Sequence, residues 1–157
     1  MLLLLLRLGT DRYALDARQV VEVIPVIKLK RIPPAPAYVA GMFNYRGKPV
    51  PVIDLCQLVE GRAVRVVLSS RIIMVNYPMA GEKHLLGILA EDATEVVRRD
   101  DVQFLRADFD MPGSPYLGRV IPDADGMIQE IEVVPLLPGD VKDLLFRAPE
   151  YAEAPPG

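Results

Sequence analysis

The side chains that usually carry acid–base, nucleophilic or metal chemistry are scarce in this chain and poorly placed for it. Its one histidine, His84, ends the polar stretch Pro78-Met79-Ala80-Gly81-Glu82-Lys83-His84. A histidine base needs a nucleophile and an orienting group; neither is nearby, so His84 reads as a solvated loop residue. The one cysteine, Cys56, follows Asp54 in what reads as a capped turn, and an inert, half-buried thiol is expected there. One Cys and one His exclude a zinc site built on the usual Cys/His sets. Acids pair at Glu91-Asp92 and Asp100-Asp101, with Asp108 and Asp110 following. Paired carboxylates can hydrolyse glycosidic bonds. These lie in polar, turn-like segments beside Arg98 and Arg99, and read as surface ion pairs. The phosphate-cradling pattern Gly-x-x-x-x-Gly-Lys-Ser/Thr does not occur. The residues make no positive case for an enzyme, a metal or a cofactor, so none is expected.

A different chemistry is legible between Ile32 and Leu55. Asn44 and Gly47 are turn-forming residues, and between them Arg46 is displayed on a tight bend. A fixed guanidinium is a good anchor for carboxylates or carbonyls on a partner. The alternative is that Arg46 only braces the turn from within. Gly41, lacking a Cβ, permits close approach of another backbone.

The elements that must hold this bend read mostly as short strands. Leu2–Leu8 and Arg12–Leu15 flank Gly9-Thr10-Asp11 and form a hairpin. The continuous leucine run suits a strand covered on both faces. Asp16 is expected to cap a short helix over Ala17–Val23, with Gln19 in the reciprocal capping position. Val26–Ile32 is strand-like, and Pro33, Pro34 and Pro36 make a stiff connector into a short helical turn at Ala37–Phe43. Lys48–Asp54 reads as an edge strand because Pro49 and Pro51 cannot donate to a ladder. Arg71–Tyr77 pairs with Leu85–Glu91; Glu95–Arg98, Leu117–Ile121 and Met127–Val134 follow, with a hairpin turn at Asp125-Gly126. Asp140 is expected to cap a helix whose Val141, Leu144 and Leu145 share one face. About nine strands indicate an all-β barrel or pair of barrels. Two strand sets, divided near Glu60–Ser70, are expected to share one core.

The chain has 157 residues, the size of one domain. Aromatics make up 6% and Trp is absent, so the core must be built from Val, Leu, Ile and Met. A lone Cys favours a reducing compartment. The opening leucines lack a basic lead and a cleavage pattern, and are too short to span a bilayer. A cytoplasmic location without membrane insertion is expected. The net charge of −3 is uneven: residues 1–50 carry eight Lys/Arg and three Asp/Glu, so the remainder is strongly acidic. That suits two faces for two partners. Ala148–Gly157 has too little apolar content to pack and reads as a disordered tail.

Pro36-Ala37-Tyr38-Val39-Ala40-Gly41, then Asn44-Tyr45-Arg46-Gly47, then Val50-Pro51-Val52-Ile53-Asp54-Leu55 together resemble the signature of the CheW family. Tyr13-Ala14-Leu15, Val20-Val21-Glu22-Val23-Ile24, Gly87-Ile88-Leu89, Thr94-Glu95-Val96-Val97 and Pro115-Tyr116-Leu117-Gly118 follow in the family's order. The resemblance covers roughly residues 2–147. It implies two five-stranded, SH3-like β-barrel subdomains sharing a hydrophobic core, with short helices and a C-terminal helix. It further implies a non-enzymatic adaptor in chemotaxis or a chemotaxis-like pathway such as surface sensing. One surface would bind the regulatory domain of a CheA-type histidine kinase. A groove between subdomains would receive the cytoplasmic tip of a chemoreceptor, bringing the protein to receptor arrays at the inner membrane. By motif, Arg46 matches the arginine associated with receptor engagement, with Gly41, Asn44 and Gly47 as neighbours. Leu29 and Leu86 fall on strands that line these surfaces in relatives. Tyr45 departs from the pattern, standing where leucine is common.

Two other readings compete. A small β-barrel could bind nucleic acid or a small ligand, but Lys28, Lys30 and Arg31 have no interleaved aromatic and the chain is acidic overall, so no nucleic-acid partner is expected. A hydrolase would have to use the acidic pairs.

Overall fold

The structure, a computed structural model, describes residues 1–100 and 114–146. Asp101, Asp108, Asp110 and the expected tail Ala148–Gly157 lie outside the described residues. Among the described residues, ten strands form two five-stranded sheets. The first contains β1 (Leu2–Leu8), β2 (Asp11–Asp16), β8 (Asp92–Arg98), β9 (Leu117–Asp123) and β10 (Gly126–Ile131), in the order β8-β1-β2-β10-β9. The second contains β3 (Val20–Pro25), β4 (Val39–Tyr45), β5 (Lys48–Asp54), β6 (Arg71–Met79) and β7 (Glu82–Ala90), in the order β3-β6-β7-β5-β4. The chain therefore begins the first sheet, completes the second, and returns to finish the first. The expected division of strand sets near Glu60–Ser70 is wrong, because β6 and β7 join the sheet of β3–β5. That assignment depends on pairings distant in sequence, such as the parallel β5–β7 register Val52↔Gly87.

The leucine run of β1 is covered on both faces, as expected. Leu3 and Leu5 pack with Ala14, Ile121 and Ile128 inside the first sheet. Leu4, Leu6 and Leu8 point the other way, into a core with Ile53, Ile73, Val75, Leu86 and Ile88 of the second sheet. Alternation along a strand sends successive side chains to opposite faces, so an uninterrupted apolar strand serves two cores. The second sheet has its own interior of Phe43, Val50, Val52, Ile72, Met74 and Leu89. The two units thus share one central core, as the family resemblance implies.

The ends of the second sheet also meet. β3 and β4 are its outer strands, yet the chain leaving β3 runs alongside β4, where Lys30 and Met42 exchange two backbone hydrogen bonds of 2.8 Å. Across the same gap the Tyr45 hydroxyl donates to the Glu22 carboxylate. The sheet is curled into a barrel by these contacts.

Several local expectations are corrected. The helix expected at Ala17–Val23 is a single 3₁₀ turn, Ala17–Gln19, with Asp16 accepting from the Arg18 N–H. Val20, Val21, Val23 and Ile24 alternate as a strand, consistent with their β-branching. Val26–Ile32 makes only the Lys30–Met42 bridge, and Ala37–Phe43 is mostly strand β4 instead of a helical turn. β5 is an interior strand, not an edge. Its pairing with β7 covers only Val52–Asp54, so the half carrying Pro49 and Pro51 has β4 alone beside it. The prolines occupy the one-sided part, where a missing donor costs least.

The loop expected at Pro78–His84 shrinks to the two-residue turn Ala80-Gly81, both at positive φ. Helix α1 (Leu55–Glu60) follows β5, with Asp54 as its N-cap. In α2 (Gly139–Phe146), Asp140 lies in the first turn and is not the cap. Val141 and Phe146 are buried there, and Leu144 is exposed.

Candidate partner-binding surface

The Asn44–Gly47 bend is built by strands β4 and β5. Tyr45 pairs with Lys48, leaving Arg46 and Gly47 as a two-residue hairpin turn. Arg46 has φ +52° and Gly47 φ +88°, the signature of a type I′ turn. The Asn44 side-chain oxygen accepts from the Gly47 N–H at 2.7 Å, closing the bend from one side. A Cβ on Gly47 would meet no atom within 4 Å, so the backbone angle, not space, selects glycine here. Asn44, Arg46 and Gly47 are all exposed, and the Arg46 guanidinium carbon lies 5.0 Å from the Tyr45 ring centroid.

Gly41 does a different job. It is buried, at φ +147°, and a Cβ there would sit 2.5 Å from the Lys30 carbonyl oxygen and 3.0 Å from the Leu29 Cβ. The expected close backbone approach is therefore that of Leu29-Lys30 onto β4. Gly41 shapes the surface and does not itself offer contact. Leu29 is half-buried beside it. Leu86 is fully buried in the shared core and presents nothing to a partner. Of the six residues singled out, the structure brings Leu29, Gly41, Asn44, Arg46 and Gly47 to one end of the second barrel and leaves Leu86 inside.

At that end lies a shallow groove of about 430 Å³ lined by Ile27, Lys28, Leu29, Lys30, Met42, Phe43 and Asn44. Its floor is apolar and its rim carries exposed lysines, with Arg46 and Lys48 on the adjoining hairpin. A larger cavity of about 610 Å³ opens beside the first sheet. Four of its charged side chains are already matched, Asp16 with Arg18 at 2.7 Å and Arg119 with Glu130 at 3.0 Å. The smaller groove is the better candidate despite its size, because among the described residues no carboxylate pairs with its Lys28 or Lys30.

The groups that could have done chemistry are occupied. Among the described residues no cluster of three His, Cys, Asp or Glu could hold a metal. Cys56 is fully buried, and desolvation pushes its thiol up to about 11. His84 is on β7 instead of in a loop, its ring stacked on Phe146 at 5.0 Å. Glu91 is buried and accepts from the Gly9 N–H at 2.7 Å and the Arg62 guanidinium at 2.8 Å. Burial pushes its carboxyl up, but Arg62 and the N–H groups of Gly9 and Arg65 prevail and hold it below the usual carboxylate range. It braces the structure and is not poised as an acid.

Two participants were not identified from the residues alone: Glu22 and, as a structural part, Tyr45. Glu22 did carry a signal. It sits between Val20 and Ile24 on the half-buried face of β3, and a carboxylate on such a face needs a partner.

Comparison with known proteins agrees with this architecture. Residues 2–140 match the family model of the CheW-like domain. The chain is 31% identical over 99 residues to the chemotaxis protein CheW of Treponema pallidum, covering 62% of this chain and 58% of that one. It is 28% identical over 91 residues to the chemotaxis protein CheW of Helicobacter pylori, covering 58% and 53%. The chain thus spans little more than half the length of these curated relatives. The crystal structure of the scaffolding protein TtCheW from Thermoanaerobacter tengcongensis superimposes with a TM-score of 0.77 at 26% identity, covering 87% of both chains. With the family model spanning all ten described strands, and a solved relative superimposing over most of both chains, the chain belongs to the CheW-like domain family.

Proposed function

We propose that the protein is a non-enzymatic adaptor that couples a methyl-accepting chemoreceptor to a CheA-type histidine kinase, in chemotaxis or a related pathway such as surface sensing. It would act in the cytoplasm and reach receptor arrays at the inner membrane through its partners. The observation that carries this reading is Arg46. A non-glycine residue at positive φ is uncommon and costly, and such strain tends to persist where function needs it. Here it lifts a guanidinium beyond the end of a barrel, next to an apolar groove with a basic rim. That combination suits an amphipathic helical tip bearing carboxylates. The kinase regulatory domain would take a separate face, so that both partners bind at once.

The test uses the intact protein with soluble fragments of a chemoreceptor and a CheA-type kinase from the same organism, measured by calorimetry. Arg46→Ala is expected to weaken receptor binding by about 2 kcal/mol, as hot-spot arginines do, and to leave kinase binding unchanged. Full receptor affinity in this variant would refute the assignment of Arg46. Absence of binding to either fragment by the wild type would refute the adaptor reading. Salt-sensitive retention on DNA or RNA would favour the nucleic-acid alternative, and ATP turnover by the purified protein would favour an enzyme.

A further inference from the structure

Tyr45 does two things that an aliphatic side chain cannot do. Its ring lies beneath the Arg46 guanidinium at 5.0 Å. Its hydroxyl donates to Glu22 on β3, across the gap where the barrel closes. Phe43 meets the same ring edge-on, with centroids 6.2 Å apart and planes at 82°. The phenol is therefore held from two directions before Arg46 reaches it.

An arginine on an exposed hairpin tip ordinarily loses considerable side-chain entropy when a partner fixes it. A ring already fixed beneath the guanidinium removes part of that loss beforehand. The way it does so matters. A direct ion pair with Glu22 would consume N–H donors of the guanidinium and cancel its charge. A cation–π contact does not neutralise the charge and leaves N–H donors available. Among the described residues no carboxylate pairs with Arg46. Glu22 is instead engaged by the phenol.

We propose that Tyr45 is a positioning residue for Arg46: tethered to Glu22 across the barrel closure, its ring holds the guanidinium with its donors free for a partner carboxylate. The carboxylate partner rests on the adaptor reading; the positioning itself does not.

Two measurements on the intact protein separate these. In nuclear magnetic resonance spectra, the side-chain protons of Arg46 should be shifted upfield by the ring beneath them. Tyr45→Leu should return them to ordinary arginine positions, and Glu22→Ala should reduce the shift by loosening the ring. Ordinary positions in the wild type, or a shift indifferent to Tyr45→Leu, would overturn the proposal whatever the partner is. Binding of a soluble chemoreceptor fragment then tests the consequence. Tyr45→Leu should weaken it roughly two- to fivefold, the range of an exposed cation–π contact. In an Arg46→Ala background the same change should have no effect. An equal loss in both backgrounds would mean that Tyr45 meets the partner itself, and the proposal would fall. If Arg46→Ala alone leaves receptor binding intact, the adaptor assignment of Arg46 fails, while the spectra still decide the positioning. Tyr45→Phe keeps the ring without its tether, and should retain part of the shift should the leucine variant fold poorly.

Discussion

Arg46 occupies a backbone conformation that its residue type does not favour. A left-handed conformation costs an L-residue other than glycine about 1–2 kcal/mol, with asparagine and aspartate the tolerated exceptions. Arg46→Asn is therefore expected to raise stability by roughly 0.5–1 kcal/mol, read as a higher urea midpoint, while weakening receptor binding as much as Arg46→Ala. Ala80 offers the control. It begins another two-residue turn, at φ +53°, and displays only a methyl group. Ala80→Asn should stabilise similarly and leave binding unchanged. If Arg46→Asn lowers stability instead, the arginine braces its turn and the display argument fails. The bend was legible from Asn44 and Gly47, because both residue types carry turn chemistry. The positive φ of Arg46 was not, since nothing in an arginine announces it. The same limit applied to Gly41, whose small size was noticed but whose neighbour, the Lys30 carbonyl, is set by a pairing no local pattern reveals.

Among elements, strand β5 and helix α1 show how one residue can end one structure and begin the next. Asp54 is buried; one carboxylate oxygen accepts from the Gln57 N–H at 3.0 Å and the other from the Val64 N–H at 2.9 Å. It caps α1 and also ties down the connector leading to β6. Asp54→Ala would remove a cap and leave a second donor unpaired, so a loss of about 2–3 kcal/mol is expected in urea unfolding. A loss below 1 kcal/mol would mean that water replaces both bonds without cost. The cap was readable from the sequence, because an acid at the end of an apolar strand is a recognised helix start. The reading of Asp16 rested on the same logic and went too far. Asp16 does cap a turn, but Val20, Val21, Val23 and Ile24 follow, and their alternation decided for strand β3. Where two local signals conflicted, the one that could bury side chains won. The proline-rich half of β5 shows the reverse case: the residues correctly reported a missing partner strand, but only for half the element.

At the scale of the whole molecule, Glu91 stands where the chain crosses from the second sheet back to the first, directly after β7. It accepts from Gly9 in the β1–β2 turn and from Arg62 beyond α1. A carboxyl whose folded pKa is depressed adds stability that is fully present above its unfolded value, near 4.3, and that fades as pH falls through the folded value. Wild-type stability should therefore decline on acidification below about pH 4.3, and Glu91→Gln should be less stable at pH 7 with a shallower acid decline. Identical slopes for the two proteins would show that Glu91 contributes nothing to this dependence. The shared core was legible, because each strand set alone looked too small for a core of its own; the order in which the strands fill it was not. That order has a consequence for synthesis. The second barrel is complete once Val20–Ala90 has emerged from the ribosome, whereas the first must wait for β8, β9 and β10. The leucines of β1 precede the other described strands, gain a second neighbouring strand only with β8, and have Ile121 and Ile128 packed on Leu3 and Leu5 only with β9 and β10. During translation the most apolar segment of the chain is thus the one longest without its full cover. Its protection falls to whatever meets a nascent chain, well before any receptor or kinase does.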